Sequence, residues 1–94
     1  MLVLPSELTH AQALACSRML AQGIAAETSG TVVLDASALG QQGARFDSSA
    51  LAVVLECRRE AMAAGKQLSV RGLPQRLREL AGLYGVASLL PAAT

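Results

Sequence analysis

The side chains that could perform chemistry are few in this sequence, and they lie far apart along the chain. His10 is its one histidine, and a hydrolytic triad would need a serine and an aspartate positioned around it. Asp35 and Asp47 could form an acid–base pair, although a loop anchor and a helix cap explain these carboxylates more simply. Residues 40–43 (Gly-Gln-Gln-Gly) lack the lysine of a Walker motif and the glycine spacing of a dinucleotide fold. We therefore predict that the chain is not an enzyme and holds no cofactor.

The two cysteines, Cys16 and Cys57, each lie inside an apolar run. Such cysteines behave as small buried hydrophobic residues, which is typical of a reducing compartment. One histidine and two distant cysteines do not have the spacing of a zinc site. No run approaches the roughly 20 apolar residues of a membrane span, and the apolar residues 1–4 are too few for a signal peptide. The sequence therefore predicts a cytoplasmic protein without a bound metal.

Composition favours one small packed domain over residues 1–94, because 52% of the residues are hydrophobic and 16% are charged. The formal net charge is +1, and the densest basic pair, Arg58-Arg59, is flanked by Glu56 and Glu60. Nucleic-acid binding needs a basic stripe or, for single strands, aromatic stacking platforms. With aromatic residues at 2% and no basic stripe, we do not expect a nucleic-acid partner.

Hydrophobic periodicity predicts alternating strands and helices. The predicted elements are a strand at 2–8, a helix at 10–25, a strand at 31–35, a loop at 36–45, a helix opened by Asp47-Ser48-Ser49 and ending at Ala64, a strand at 67–71, a helix from Pro74 to Tyr84 and a last apolar segment at Val86, Leu89 and Leu90. Pro5 lacks an amide proton, so the first strand should lie at a sheet edge or be irregular. The alternation predicts an α/β fold with a mostly parallel or mixed four-stranded sheet and right-handed crossover helices.

Local signals set the ends and faces of these helices. Thr9 and Gln12 have the spacing of a capping box, and Gly65 fits the position after a helix where φ is positive. In the first helix the large apolar residues near helical spacing are Leu14, Met19, Leu20 and Ile24. In the third helix the predicted buried face consists of Leu77, Leu80, Ala81 and Tyr84.

The second helix has two distinct faces at about 100° per residue. Its apolar arc consists of Leu51, Val53, Val54, Leu55, Cys57, Ala61 and Met62. The opposite arc consists of Ser48, Ser49, Ala52, Glu56, Arg59, Glu60 and Ala63, and its first half carries only short side chains. This arc is either a solvated face with capping serines or a docking surface that a partner's backbone can approach closely.

Residues 45–55 (Arg-Phe-Asp-Ser-Ser-Ala-Leu-Ala-Val-Val-Leu) resemble the signature of STAS domains, the anti-sigma factor antagonist family. In that family an Asp-Ser-Ser or Asp-Thr-Gly step opens the second helix, and the hydroxyl residue after the aspartate is the regulatory or contact residue, here Ser48. Four further resembling segments follow the family's order: 6–9, 32–35, 63–66 and 80–91. The last is similar to one branch, the STAS subunit of the Mla ABC system, which moves phospholipids between the two membranes of Gram-negative bacteria.

The sequence departs from the family pattern at three places. It begins at the family's second strand, so we expect the N-terminal strand to be missing and a sheet edge to be open, which would favour a homodimer. The loop before the signature is lengthened, through residues 40–45. Ala50 stands where the family commonly has glycine.

The resemblance implies a role as a partner of another protein. The STAS subunit of that transporter binds the cytoplasmic ATPase subunit and supports it, at the inner face of the inner membrane, and it neither hydrolyses ATP nor touches lipid. The residues expected at the contact are Asp47, Ser48, Ser49, Ala52, Glu56 and Arg59. The alternative is an anti-sigma factor antagonist that a serine kinase switches by phosphorylating Ser48.

Overall fold

A computed structural model describes residues 1–92 of the chain. Its strands are β1 (Leu2–Val3), β2 (Glu7–Leu8), β3 (Thr31–Asp35), β4 (Arg45–Phe46) and β5 (Gln67–Arg71). Its helices are α1 (His10–Ala26), α2 (Ser48–Ala63) and α3 (Gln75–Leu83), with 3₁₀ turns at Ser37–Gly40 and Ala87–Leu89. The three predicted helices and the predicted strands at 31–35 and 67–71 are found, whereas β4 was not predicted.

The strands pair in parallel, as predicted, but in two sheets. The larger sheet has the order β1-β3-β5, and β2 pairs with β4 in the smaller one. The predicted four-stranded sheet is therefore not found in the described part of the chain. The amide of Leu4 still donates to the carbonyl of Asp35 at 2.9 Å, but Pro5 has no amide proton to continue the ladder. The chain leaves β3 at this point, and the predicted strand at 2–8 is split into β1 and β2.

The core lies between the larger sheet and the helices. The buried strand residues alternate along β3 and β5, where Val32, Leu34, Leu68 and Val70 are each at most 6% exposed. The helix residues that pack in the same core follow helical spacing: Cys16, Leu20 and Ile24 on α1, Ala50, Val54, Cys57 and Ala61 on α2, and Leu77 and Ala81 on α3. The buried stripe of α2 therefore decides which side of this helix faces the core and which side faces outward.

Four large apolar residues of the predicted helix faces lie outside the core. Leu14 and Met19 of α1 are 64% and 59% exposed, because the buried stripe of this helix consists of Cys16, Leu20 and Ile24 instead. Met62 of α2 is 58% exposed, since Ala61 takes the inward position. Tyr84 is 60% exposed, and its assignment to the buried face of α3 was wrong.

The exposure of Tyr84 follows from the way α3 ends. Tyr84 is the C-cap and Gly85 has φ of 72°, which reverses the chain direction. The amide of Gly85 donates to Gly82, and the amide of Val86 donates to Ala81 at 2.8 Å, which together form a Schellman motif. Val86 therefore turns in against the core and leaves Tyr84 outside.

The last apolar segment lies along the outer edge of β5. After the 3₁₀ turn, the amide of Val70 donates to the carbonyl of Pro91 at 2.9 Å, and Ala92 forms a parallel bridge with Val70. Val86 and Leu90 pack partly against the core. The segment thus covers part of the β5 edge.

Cys16 and Cys57 are buried and unpaired within residues 1–92, in agreement with their interpretation as buried thiols. Burial raises the pKa of the Cys57 thiol to about 12, and it raises the pKa of Cys16 as well. Both side chains are therefore neutral parts of the core at physiological pH.

A candidate docking surface at the start of the second helix

One carboxylate holds the starts of two helices together. Asp47 is the N-cap of α2, and its Oδ1 accepts a hydrogen bond from the Ser49 amide at 2.8 Å. Its Oδ2 accepts another from the amide of His10, the first residue of α1, at 3.1 Å. Both hydrogen bonds lower the pKa of Asp47, and the bond from His10 has the larger effect. The carboxylate therefore stays ionised and complements both helix dipoles.

The small sheet sets the same two helix starts in register. In β2 and β4, Glu7 pairs with Arg45 and Leu8 with Phe46, and each strand leads directly into a helix. The predicted capping box is present at the start of α1, where Gln12 Oε1 accepts from the Thr9 amide at 2.9 Å. The sequence signal of the box was local, whereas the pairing of β2 with β4 joins residues about two fifths of the chain apart and could not be predicted locally.

The residues proposed for docking lie on one exposed stripe of α2. Ser48 and Ala52 are exposed and one turn apart, and Ser49 is half-buried beside them. The inner side of the same helix turn is packed in the core, because Ala50, Leu51, Val53 and Val54 are at most 3% exposed. The start of α2 therefore combines a rigid base with an outer surface of short side chains.

Glu56 and Arg59 continue this stripe and pair with each other. Arg59 Nε donates to Glu56 Oε2 at 3.0 Å, and Nη2 donates to Oε1 at 2.5 Å. The guanidinium lowers the pKa of Glu56, and the carboxylate raises that of Arg59. The two charges cancel locally, so the stripe changes from small and hydroxyl-bearing to polar and neutral along the helix.

The other residues considered for chemistry have structural roles. Asp35 Oδ1 accepts from the Ser37 amide at 2.9 Å, and the Ser37 hydroxyl and amide, with a smaller effect of Arg71, lower the pKa of Asp35. Asp35 is thus a loop anchor and Asp47 a helix cap, as the simpler interpretation held. The loop that follows contains the 3₁₀ turn and buries Leu39 to 2% exposure, so it is partly built into the core.

Sequence reasoning missed two contacts made by α3 and the loop that precedes it. The guanidinium carbon of Arg76, in the first turn of α3, lies 5.4 Å from the centroid of the Phe46 ring. A Cβ added to Gly72, whose φ is 69°, would lie 2.8 Å from the Ser37 Cβ, so only glycine lets the two loops meet. Neither contact has a local signature, because each joins residues remote in sequence.

Residues 1–92 contain no group of three histidine, cysteine, aspartate or glutamate side chains arranged to hold a metal ion. In the same described range, no helix has the length and apolar character needed to cross a bilayer.

The fold and this surface define a small parallel α/β domain that displays a hydroxyl-bearing helix start. A protein-family model described as "Mlab, STAS domain" matches residues 1–91, and the chain therefore belongs to the STAS domain family. The match spans all elements described above. A search of curated proteins gives no significant match.

Proposed function

We propose that the chain is a non-catalytic STAS subunit that binds and supports the cytoplasmic ATPase of a phospholipid-transport ABC complex maintaining lipid asymmetry of the outer membrane. The Mlab description of the matching family supports this choice among STAS functions. The protein would then work in the cytoplasm, at the inner face of the inner membrane, through its partner. Its contact with the membrane would be indirect.

The observation that carries the proposal is the exposed stripe of Ser48 and Ala52 over a fully buried base. Short side chains let a partner helix approach closely without first displacing long side chains, whose immobilisation costs entropy on binding. The buried base means that the stripe is already ordered before the partner arrives. A preorganised surface loses less free energy on association than a mobile one.

The polar end of the stripe supplies orientation rather than net charge. Glu56 and Arg59 neutralise each other, yet each keeps further hydrogen-bonding capacity toward a partner. Such a pair at the rim of an interface contributes to register and selectivity more than to affinity. We therefore place Ser48 and Ala52 at the centre of the proposed contact and the ion pair at its edge.

A bulky residue at the centre tests this directly. Ser48→Trp should weaken binding to the ATPase subunit encoded in the same genome by at least about tenfold, because the indole would hold the partner off the helix. The free energy of unfolding should change by less than about 0.5 kcal/mol, since Ser48 is exposed. Binding is measured by co-purification and titration calorimetry, and stability by urea unfolding.

Thr28→Trp is the matched control, because Thr28 is also exposed but lies in the loop after α1, at the other end of the helix pair. It should bind the ATPase as the unmodified protein does. Unchanged binding of Ser48→Trp, or an equal loss in both variants, would contradict the proposed surface.

The exposed hydroxyl of Ser48 also supports a second function, that of an anti-sigma factor antagonist controlled by a serine kinase. A phosphate there would add about two negative charges in the middle of the stripe. The α2 start would tolerate that charge, whereas an interface would not. Mass spectrometry of protein from its own host distinguishes the two: stress-sensitive phosphate on Ser48 favours this function, and an unmodified serine with a co-purifying ABC ATPase favours the first.

A homodimer through the edge of β1 that pairs with no other strand within residues 1–92 stays a secondary proposal. Because the Leu4 amide bonds inward to Asp35, the alternation of a parallel strand directs the amide and carbonyl of Val3 to the open side. Val3 is followed two residues later by Pro5, so the edge available for pairing is short. Light scattering over a concentration series tests this, and a monomer mass throughout would contradict it.

A further inference from the structure

We propose that Asp47 is a positioning residue of the docking surface, which fixes the first turn of α1 beside the first turn of α2 so that a partner meets both. This inference rests on the proposed function, since it concerns how the same surface is shaped. It replaces the expectation that Asp47 is itself a contact. It also adds the start of α1, with His10 and Ala11, to the surface.

The geometry carries this inference. The two carboxylate oxygens of Asp47 each accept a different amide, from His10 at 3.1 Å and from Ser49 at 2.8 Å. The carboxylate is thus committed to two backbone amides that are far apart in sequence. Together with the pairing of β2 and β4, it links the two helix starts directly.

The surroundings place both helix starts at the surface together. His10 and Ala11 are exposed on α1, and Ser48 is exposed on α2. Behind them, β2 and β4 pair immediately before the helices, and the amide of Arg45 donates to the carbonyl of Ser6 at 2.9 Å. The first turns of α1 and α2 are therefore held side by side. A partner large enough to cover Ser48 and Ala52 would also reach His10.

Aspartate is the residue type that this role requires. Asparagine caps helices about as well as aspartate, but its NH2 group takes the place of one carboxylate oxygen and cannot accept a hydrogen bond, so one of the two amides loses its acceptor. Asp47→Asn should therefore keep a cap while breaking the link between the helices. Serine also caps with one oxygen, so Asp47→Ser should give the same result if Asp47→Asn folds poorly.

The experiment measures ATPase binding by calorimetry at a temperature where every variant is fully folded. Asp47→Asn should bind about three- to tenfold more weakly, as expected for loss of one charge-assisted hydrogen bond that orders a surface. The amide proton of His10 should move upfield in its NMR spectrum, because it loses its carboxylate acceptor. Asp35→Asn is the control: it keeps one oxygen for the Ser37 amide and should leave binding unchanged.

Salt dependence separates a positioning role from a direct charged contact. A carboxylate that met a cationic partner would make binding weaker with rising salt, and its removal would flatten that dependence. Positioning predicts the same salt dependence for the unmodified protein and Asp47→Asn. A flattened dependence, or unchanged affinity despite the shifted His10 resonance, would overturn the inference.

The outcome can be separated from that of the proposed function. Loss of binding in Ser48→Trp with full binding in Asp47→Asn and Asp47→Ser would reject the positioning role alone. Full binding in Ser48→Trp as well would reject the docking surface itself, and the positioning role with it.

Discussion

The two ends of the α1–α2 pair use the same electrostatic device in different ways. At the N-terminal end, the carboxylate of Asp47 accepts amides from both helices. At the C-terminal end, Lys66 Nζ donates to the carbonyls of Ile24, at 2.6 Å, and of Glu27, at the exit of α1. A negative charge thus lies at the positive ends of the helix dipoles and a positive charge at a negative end.

The surroundings of the two charges differ. Lys66 is half-buried, and it is the last residue of a Schellman motif in which Gly65 has φ of 71° and the Lys66 amide donates to Ala61 at 2.8 Å. Asp47 is exposed and is followed by serines and alanine. The C-terminal, closed end of the helix pair is thus held by a half-buried charge that stabilises the fold. The N-terminal, open end is instead an ordered surface that stays exposed.

Removing the ammonium at the closed end should have the largest effect on stability. Lys66→Met keeps most of the side-chain volume but removes the ammonium donor from the carbonyls of Ile24 and Glu27, and leaves the Ile24 carbonyl with the Glu27 amide at 3.3 Å. We expect the free energy of unfolding to fall by about 1–3 kcal/mol, which lowers Tm by about 4–8 °C for each kcal/mol in a domain of this size. Scanning calorimetry of Lys66→Met measures this loss, and Arg18→Met, at an exposed site on α1, is the control. Equal Tm values for the two variants would contradict the difference between the two ends.

The glycine at the closed end provides the next largest effect. Gly65→Ala should lower stability by about 1 kcal/mol, because alanine is strained at φ of 71° even though space is free around it. Gly82 lies within α3 and also has free space around a Cβ, so Gly82→Ala should instead raise stability by about 0.5–1 kcal/mol. Urea unfolding of both variants tests the pair, and a shift of the same sign in both would contradict the argument.

Acid should act on the open end more than on the closed end. The pKa of Asp47 is lower in the folded state than in an unfolded chain, so its contribution to stability is present above about pH 4 and is lost as the pH falls through the folded pKa. Asp47→Asn should therefore show a shallower loss of stability between about pH 5 and pH 2. Lys66→Met should keep the slope of the unmodified protein, and an equal slope in all three proteins would contradict this assignment.

The exposed ion pair should contribute least. Glu56→Gln removes the charge that Arg59 faces, but both side chains are on the surface and solvent screens their attraction. We expect no measurable change in the urea midpoint and only a small change in ATPase binding. A clear loss of stability at 1 M salt, where screening is strong, would show that the pair has a structural role.

Local signals determined most of the individual elements. Thr9 with Gln12, Asp47 and Gly65 act at the helix ends where their residue types predicted them. These signals operate between neighbours in sequence, so no tertiary information is needed. The buried stripe of α2 was predicted for the same reason, and Pro5 correctly marked an irregular edge strand.

Amphipathic faces were predicted less well than helix ends. Leu14 and Tyr84 are apolar and lie at plausible spacing, yet each is at least 60% exposed. Periodicity gives the approximate direction of a helix face but not its width, and the width is set by the elements that pack on it. In α3 the Schellman turn brings Val86 inward, and this contact excludes Tyr84.

The sequence by itself determined the three helices, the strands at 31–35 and 67–71, the helix caps and the exposed hydroxyl at the start of α2, because all of these depend on short-range spacing. The tertiary structure alone decided that β2 pairs with β4, that Asp47 reaches the His10 amide and that Lys66 caps α1. Each of these contacts joins residues more than 35 positions apart. Their free energy depends on where the whole chain brings them together, which no local pattern records.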